Sequence, residues 1–112
     1  MQHRDKIALE KIVNAIEEAL EVFGNVPEEN FLQSKTLKLA MAMSIIRVGE
    51  LVKTLTMEFR ENQNQIAWRD IAGFRDIAAH KYDVIDMKIL YYSIKNELPE
   101  LKRQIEKILA NE

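Results

Sequence analysis

Arg75, His80 and Tyr82 stand close together in the stretch RDIAAHKY, and their side chains suit work on a phosphodiester. A guanidinium binds two phosphate oxygens at once, which an ammonium does not match. An imidazole exchanges protons near neutral pH. An arginine that holds a phosphate beside a histidine that moves protons is a general acid–base arrangement for phosphodiester cleavage. RNA brings its own nucleophile, the 2′-hydroxyl, so this chemistry requires neither a metal nor a cofactor. The sequence agrees: it has no cysteine and no His or carboxylate set at metal-ligand spacing.

A structural reading competes with this one. Arg75 follows Trp68 by seven residues and Ile71 by four, so at ~100° per residue the three share one helix face. A charge on such a buried stripe needs a salt-bridge partner, with Asp76 and Glu50 as candidates, or it lines a groove or a subunit contact. His80 lies ~140° round the helix from Arg75 and ~7.5 Å along it. The two converge only if the helix ends near Ala79 or if a two-fold axis brings two copies together. Tyr82 has its own bland reading, a ring packed at a helix end with its hydroxyl outward. His3 reads as a bystander near a terminus, and Tyr91 and Tyr92 as core or interface residues.

The elements that must position this stretch read as helices throughout. Ala, Leu, Ile, Glu and Lys dominate, only three glycines and two prolines interrupt, and no segment alternates like a strand. Ile7, Ile12, Val13, Ile16, Ala19, Leu20 and Phe23 predict a first helix over about residues 4–23, stopped at Gly24-Asn25. A second, long and very apolar helix is predicted from about Phe31 to Phe59, capped by Asn30 or Ser34. So wide an apolar face implies a central position or a shared one with a second subunit. Gly49 in its middle marks a close helix approach. Arg60–Gln65 reads as a loop, and helix resumes at Ile66 or Ala67 and runs to about His80. Asp83 or Asp86 caps a fourth helix to Leu98, and Pro99 kinks or restarts the chain before a last apolar run. The expected architecture is an all-α, up-and-down bundle of four to five helices over residues 1–112, one domain, dimerising through the long apolar helix.

The net charge of −2 excludes a strong overall pull on nucleic acid, so RNA contact must come from a local patch such as Arg75, Lys81 and Arg69. The charged start does not read as a signal peptide, and no apolar run approaches the ~20 residues that span a bilayer. With no cysteine, the chain is expected to be cytoplasmic, without a membrane partner.

Several parts of the sequence together resemble the HepT-like toxins of the HEPN superfamily. They are Ile46-Arg47-Val48-Gly49-Glu50, then Trp68, Ile71, Gly73, Arg75, Asp76, His80 and Tyr82 in order, then Val84-Ile85-Asp86 and Leu98-Pro99-Glu100-Leu101. The resemblance covers the chain from about Met41 onward. It implies a homodimeric, metal-independent endoribonuclease in which Arg75 holds the scissile phosphate, His80 moves protons and Asp76 orients the site. It also implies a partner, an MntA-like nucleotidyltransferase antitoxin, that silences the RNase by adenylylating Tyr82. Added AMP would bring bulk and negative charge to a cleft meant for RNA phosphates. The family often has Asn where this chain has Asp76, whose charge beside Arg75 opposes RNA binding. That departure keeps a second reading open, a non-catalytic helical dimer that binds a nucleotidyltransferase. Arg47 and Glu50, three apart, are expected to be structural, paired with each other or with Glu50 fixing Arg75.

Overall fold

The computed structural model describes residues 1–111, and among these every regular element is helical. Four long rods carry the fold: α1 (His3–Phe23), α3 (Lys35–Lys53), α5 (Trp68–His80), and a last rod made of α6 (Met87–Tyr92) and α7 (Leu98–Ala110). Short helices α2 (Glu28–Gln33) and α4 (Met57–Asn62) turn the corners on either side of α3. Ser93–Glu97 joins α6 to α7 as a π-helical turn. Pro99 explains that turn: it has no N–H to donate, and its ring would crowd the carbonyl one turn back.

The long second helix expected over Phe31–Phe59 is three helices, and the expected loop at Arg60–Gln65 is helical as far as Asn62. Apolar periodicity runs on through both breaks, but two side-chain caps interrupt the backbone. Ser34 is extended and its Oγ accepts from the Leu37 N–H at 3.1 Å. Thr56 is likewise extended and its Oγ1 accepts from the Phe59 N–H at 3.2 Å. Hydroxyls placed this way replace a missing intrahelical partner, so a new helix starts where the old one would have continued. Buried Asp5 secures the second break by accepting from the Thr56 N–H at 2.8 Å and the Thr56 hydroxyl at 2.7 Å. The start of α1 is thereby clipped to the corner that aims α4 toward α5.

The remaining punctuation follows expectation. Gly24 ends α1 with φ 58° and ψ −141°, a positive-φ conformation that glycine adopts without strain. Asp86 caps α6 through the Lys88 and Ile89 N–H groups.

The core joins Leu9, Ile12 and Ile16 of α1 to Met41, Val48 and Val52 of α3 and to Leu90, Ile94 and Ile105 of the last rod. At one end Phe23, Phe31 and Tyr91 pack with ring centroids 5.3–5.9 Å apart, and the Tyr91 hydroxyl donates to the Val26 carbonyl at 2.6 Å. The molecule is 19 Å across its thinnest axis, about two helix diameters, so α3 is not surrounded. Leu39 and Met43 on α3 face solvent. No helix among the described residues is long and apolar enough to cross a membrane.

Candidate functional site

Helix α5 lies mainly against α3, and Gly49 sets the distance between them. A Cβ at Gly49 would stand 2.1 Å from the Cβ and 2.6 Å from the Cγ of Arg75. Only a glycine lets the arginine stem lie flat across α3. The close approach expected at Gly49 is present, and its occupant is the candidate phosphate-binding residue.

This seating fixes the guanidinium. The Arg75 side chain is only 18% exposed, and its terminal nitrogens meet two carboxylates. Nη2 pairs with Glu50 of α3, one residue beyond the glycine, and Nη1 donates to Asp76 Oδ1 at 3.0 Å. Nε is buried without an acceptor among the described residues. The salt-bridge reading of Arg75 is therefore realised with both carboxylates that the sequence put forward. Arg47 does not pair with Glu50, however; it turns to Glu18 of α1.

A further cation belongs to the cluster and was missed from the sequence. Lys53, in the last turn of α3, donates to the same Asp76 Oδ1 at 2.6 Å. Lys53, and beside it the Arg75 guanidinium, hold the Asp76 carboxyl below the usual aspartate range, against a smaller opposing effect of desolvation. Two cations and two carboxylates thus alternate in the order Lys53, Asp76, Arg75, Glu50. The signal was available: Glu50 and Lys53 are three apart, on one face of α3, next to the glycine. A lysine in a helix's last turn reads more simply as a complement to the helix dipole, and so it attracts no notice.

His80 is the last residue of α5 and is exposed. Because α5 stays helical to His80, it carries Arg75 inward and His80 to another face, ~140° away. The structure therefore does not bring the two side chains together by ending the helix early. Lys81 follows as an exposed residue at the helix end, its N–H donating to the Ile77 carbonyl at 2.8 Å. Tyr82 opens a 3₁₀ turn, Tyr82–Val84, with its ring half-buried against the core. Tyr91 is a core residue and Tyr92 is exposed.

Two surfaces border the cluster. A groove of about 750 Å³ runs between α4 and α5, lined by Arg60, Asn64, Trp68, Arg69 and Asp76 among others. The outer face of α5 carries Gly73, Ile77 and His80 in one stripe at helical spacing. Gly73 has nothing within 4 Å of where a Cβ would be, and Ile77 is 47% exposed. Val84, Ile89 and Tyr92 add exposed apolar surface on the elements that follow.

Chemically, the cluster holds one anionic oxygen, that of Asp76, between Arg75 and Lys53, and an exposed imidazole lies about one and a half turns further along the same helix.

Comparison with known proteins matches residues 12–108 to the family model described as "Ribonuclease HepT-like". A protein of Caldanaerobacter subterraneus subsp. tengcongensis named "Putative RNase" is 36% identical over 104 residues, covering 93% of each chain. A protein of Thermococcus cleftensis named "Probable ribonuclease HepT" is 32% identical over 108 residues, covering 96% of this chain and 98% of that one. A Methanocaldococcus jannaschii protein named "Gamma-glutamylcyclotransferase and putative RNase" is 38% identical over 104 residues, 93% of this chain but 47% of its own length. No solved structure matches the chain.

Proposed function

The chain belongs to the HepT-like ribonuclease family, and from that premise we propose that it is the RNA-cutting toxin of a toxin–antitoxin pair, acting in the cytoplasm through Arg75 and His80. The observation that carries the site assignment is the seating of Arg75 over Gly49, an otherwise unfavourable mid-helix glycine that lies beneath the arginine's Cβ and Cγ. A side chain wanted only for a surface ion pair does not need a helix pared down to its backbone.

In the proposed reaction the RNA 2′-hydroxyl attacks the adjacent phosphorus and the 5′-oxygen leaves. The products are a 2′,3′-cyclic phosphate and a 5′-hydroxyl. His80 takes the proton from the 2′-hydroxyl, and the imidazolium so formed gives a proton back to the departing 5′-oxygen, directly or through water, so no net proton is gained or lost. The Arg75 guanidinium stabilises charge on the non-bridging oxygens. Because α5 holds Arg75 and His80 on different faces, the complete site is formed across a homodimer. Gly73, open, and Ile77, exposed, leave the outer side of α5 free for a second copy more plainly than the interrupted second helix does. Tyr82, two residues past His80, is the proposed acceptor of AMP from an MntA-like nucleotidyltransferase antitoxin. Tyr82 opens the turn that follows α5, close in sequence to the exposed His80, which supports that reading.

The test is cleavage of RNA by the purified protein. His80→Ala and Arg75→Ala should each lower the rate about 10²–10⁴-fold while circular dichroism and dimer mass stay unchanged. Undiminished cleavage by either variant would remove the assignment. Co-expression with the nucleotidyltransferase should add the mass of AMP to the wild type and not to Tyr82→Phe. A second reading draws on the two carboxylates that occupy Arg75: a non-catalytic dimer that only binds the nucleotidyltransferase. It predicts stable association with that partner and no cleavage by the pure protein at any pH.

A further inference from the structure

Asp76 Oδ1 accepts from two cations on two different helices, Lys53 Nζ at 2.6 Å and Arg75 Nη1 at 3.0 Å. A single anionic oxygen held between an ammonium and a guanidinium is the arrangement a phosphate's non-bridging oxygen would adopt at the same place. From this geometry we infer that Lys53 is a second phosphate-binding residue and that the Asp76 carboxylate occupies the substrate phosphate's position as a built-in competitor. The inference rests on the proposed reading of Arg75 and deepens it: RNA must displace Asp76 before Arg75 and Lys53 can hold the scissile phosphate.

Three features support displacement over a purely structural role. Asp76 and Lys53 are 50% and 40% exposed along their side chains, and ion pairs so open to water add little to stability. Asp76 also lines the groove between α4 and α5, so an incoming strand can reach it from solvent. Arg75, by contrast, has its stem buried over Gly49 and cannot swing away. Of the three groups meeting at that oxygen, the carboxylate has the shortest side chain and an open side to move into. Glu50 remains paired with Arg75 on the α3 side and holds the guanidinium in place once Asp76 has left.

Charge balance gives the exchange its purpose. Lys53 and Arg75 are offset by Asp76 and Glu50, so the resting cluster presents no net charge to a distant phosphate. Moving Asp76 aside leaves Lys53 and Arg75 offset by Glu50 alone, so the cluster becomes net positive. Binding is then gated by a contact that a strand must make locally, and the acidic whole does not need to attract RNA from afar.

The experiment uses the full-length dimer carrying His80→Ala, so that RNA is bound but not cut, with a short fluorescent single-stranded RNA as the probe. Anisotropy titrations across a range of salt give affinity and the number of phosphate contacts. Asp76→Asn should bind about fivefold more tightly, the size of one exposed ion pair released. Lys53→Met should bind more weakly, with a salt dependence shallower by about 0.7, one phosphate contact on a single strand. Lys53→Arg should restore both. Unchanged or weaker binding in Asp76→Asn overturns the competitor role, because it would mean the carboxylate positions Arg75. An unchanged salt slope in Lys53→Met overturns the second cation. Cleavage by the wild type, run in parallel, separates the two levels. If the wild type cuts RNA and these variants bind like it, the inference alone fails; if it neither cuts nor binds RNA, the reading of the site fails with it.

Discussion

On its inner side α5 meets α3 at Gly49, where a Cβ would stand 2.1 Å from that of Arg75; on its outer side Gly73 has nothing within 4 Å. Both glycines interrupt helices, and each carries the same intrinsic penalty of about 1 kcal/mol relative to alanine. Their surroundings are opposite. The inner seam is closed and filled by an arginine stem and an ion network, so its glycine is accounted for within one chain. The outer face is open, flanked by exposed Ile77 and His80, and its glycine has no account within one chain. The difference shows how one helix has two unlike sides: one fixes the Arg75 guanidinium, the proposed phosphate-binding group, and the other is left open to solvent.

The largest effect expected from breaking this contrast is at the inner seam. Gly49→Ala forces a methyl into the Arg75 stem, so it should destabilise the fold by about 1–3 kcal/mol and displace the guanidinium. Chemical denaturation would read the first and RNA cleavage the second. A variant as stable and as active as the wild type would mean that α5 can shift outward without consequence, and the seam would lose its role.

Gly73→Ala is the matched change on the outer face, with a smaller effect of opposite sign. With nothing for the methyl to meet, the helix should gain up to about 1 kcal/mol in a dilute, monomeric sample. If two α5 helices meet at this stripe, the same methyl should weaken the dimer, seen as a larger dissociation constant by analytical ultracentrifugation. Greater stability together with an unaltered dimer would place the subunit contact elsewhere.

These two positions also mark how far the sequence could be read. A lone glycine within an apolar helical pattern signals a close approach, so Gly49 was legible as such. What lies across from it was not, because that depends on how α5 registers on α3, a non-local matter of packing. The partners of Arg75 were legible as candidates since Glu50 and Asp76 are the nearby carboxylates in the pattern. Lys53 was passed over, because a lysine in the last turn of a helix reads more simply as a complement to the helix dipole. The breaks at Ser34 and Thr56 escaped for another reason. The apolar period continues through them, with Leu37 and Phe59 still facing inward, and a single hydroxyl cap competes with helix too locally for periodicity to register. Early termination of the helix before His80 was one of two ways to join the candidate pair, and α5 does not take it; it is helical through His80.

The smallest effect separates what the ion network does for stability from what it does for function. Lys53 and Arg75 hold the Asp76 carboxyl below its ordinary range, so the folded state favours the charged form more than the unfolded chain does. The sign follows: this contribution is present above the unfolded pKa of about 4 and is lost as pH falls through the lower folded value. Asp76→Asn should therefore be slightly less stable than the wild type at pH 7, with the gap closing as denaturation is repeated below about pH 4. A gap that persists unchanged into acid would mean that Asp76 acts by shape or hydrogen bonding and not by charge. Set beside the tighter RNA binding expected of the same variant, a closing gap would identify one carboxylate that favours the resting fold and opposes the substrate. Such opposition belongs to the inner seam alone, since the outer face of α5 has no carboxylate in its Gly73, Ile77 and His80 stripe to set against a partner.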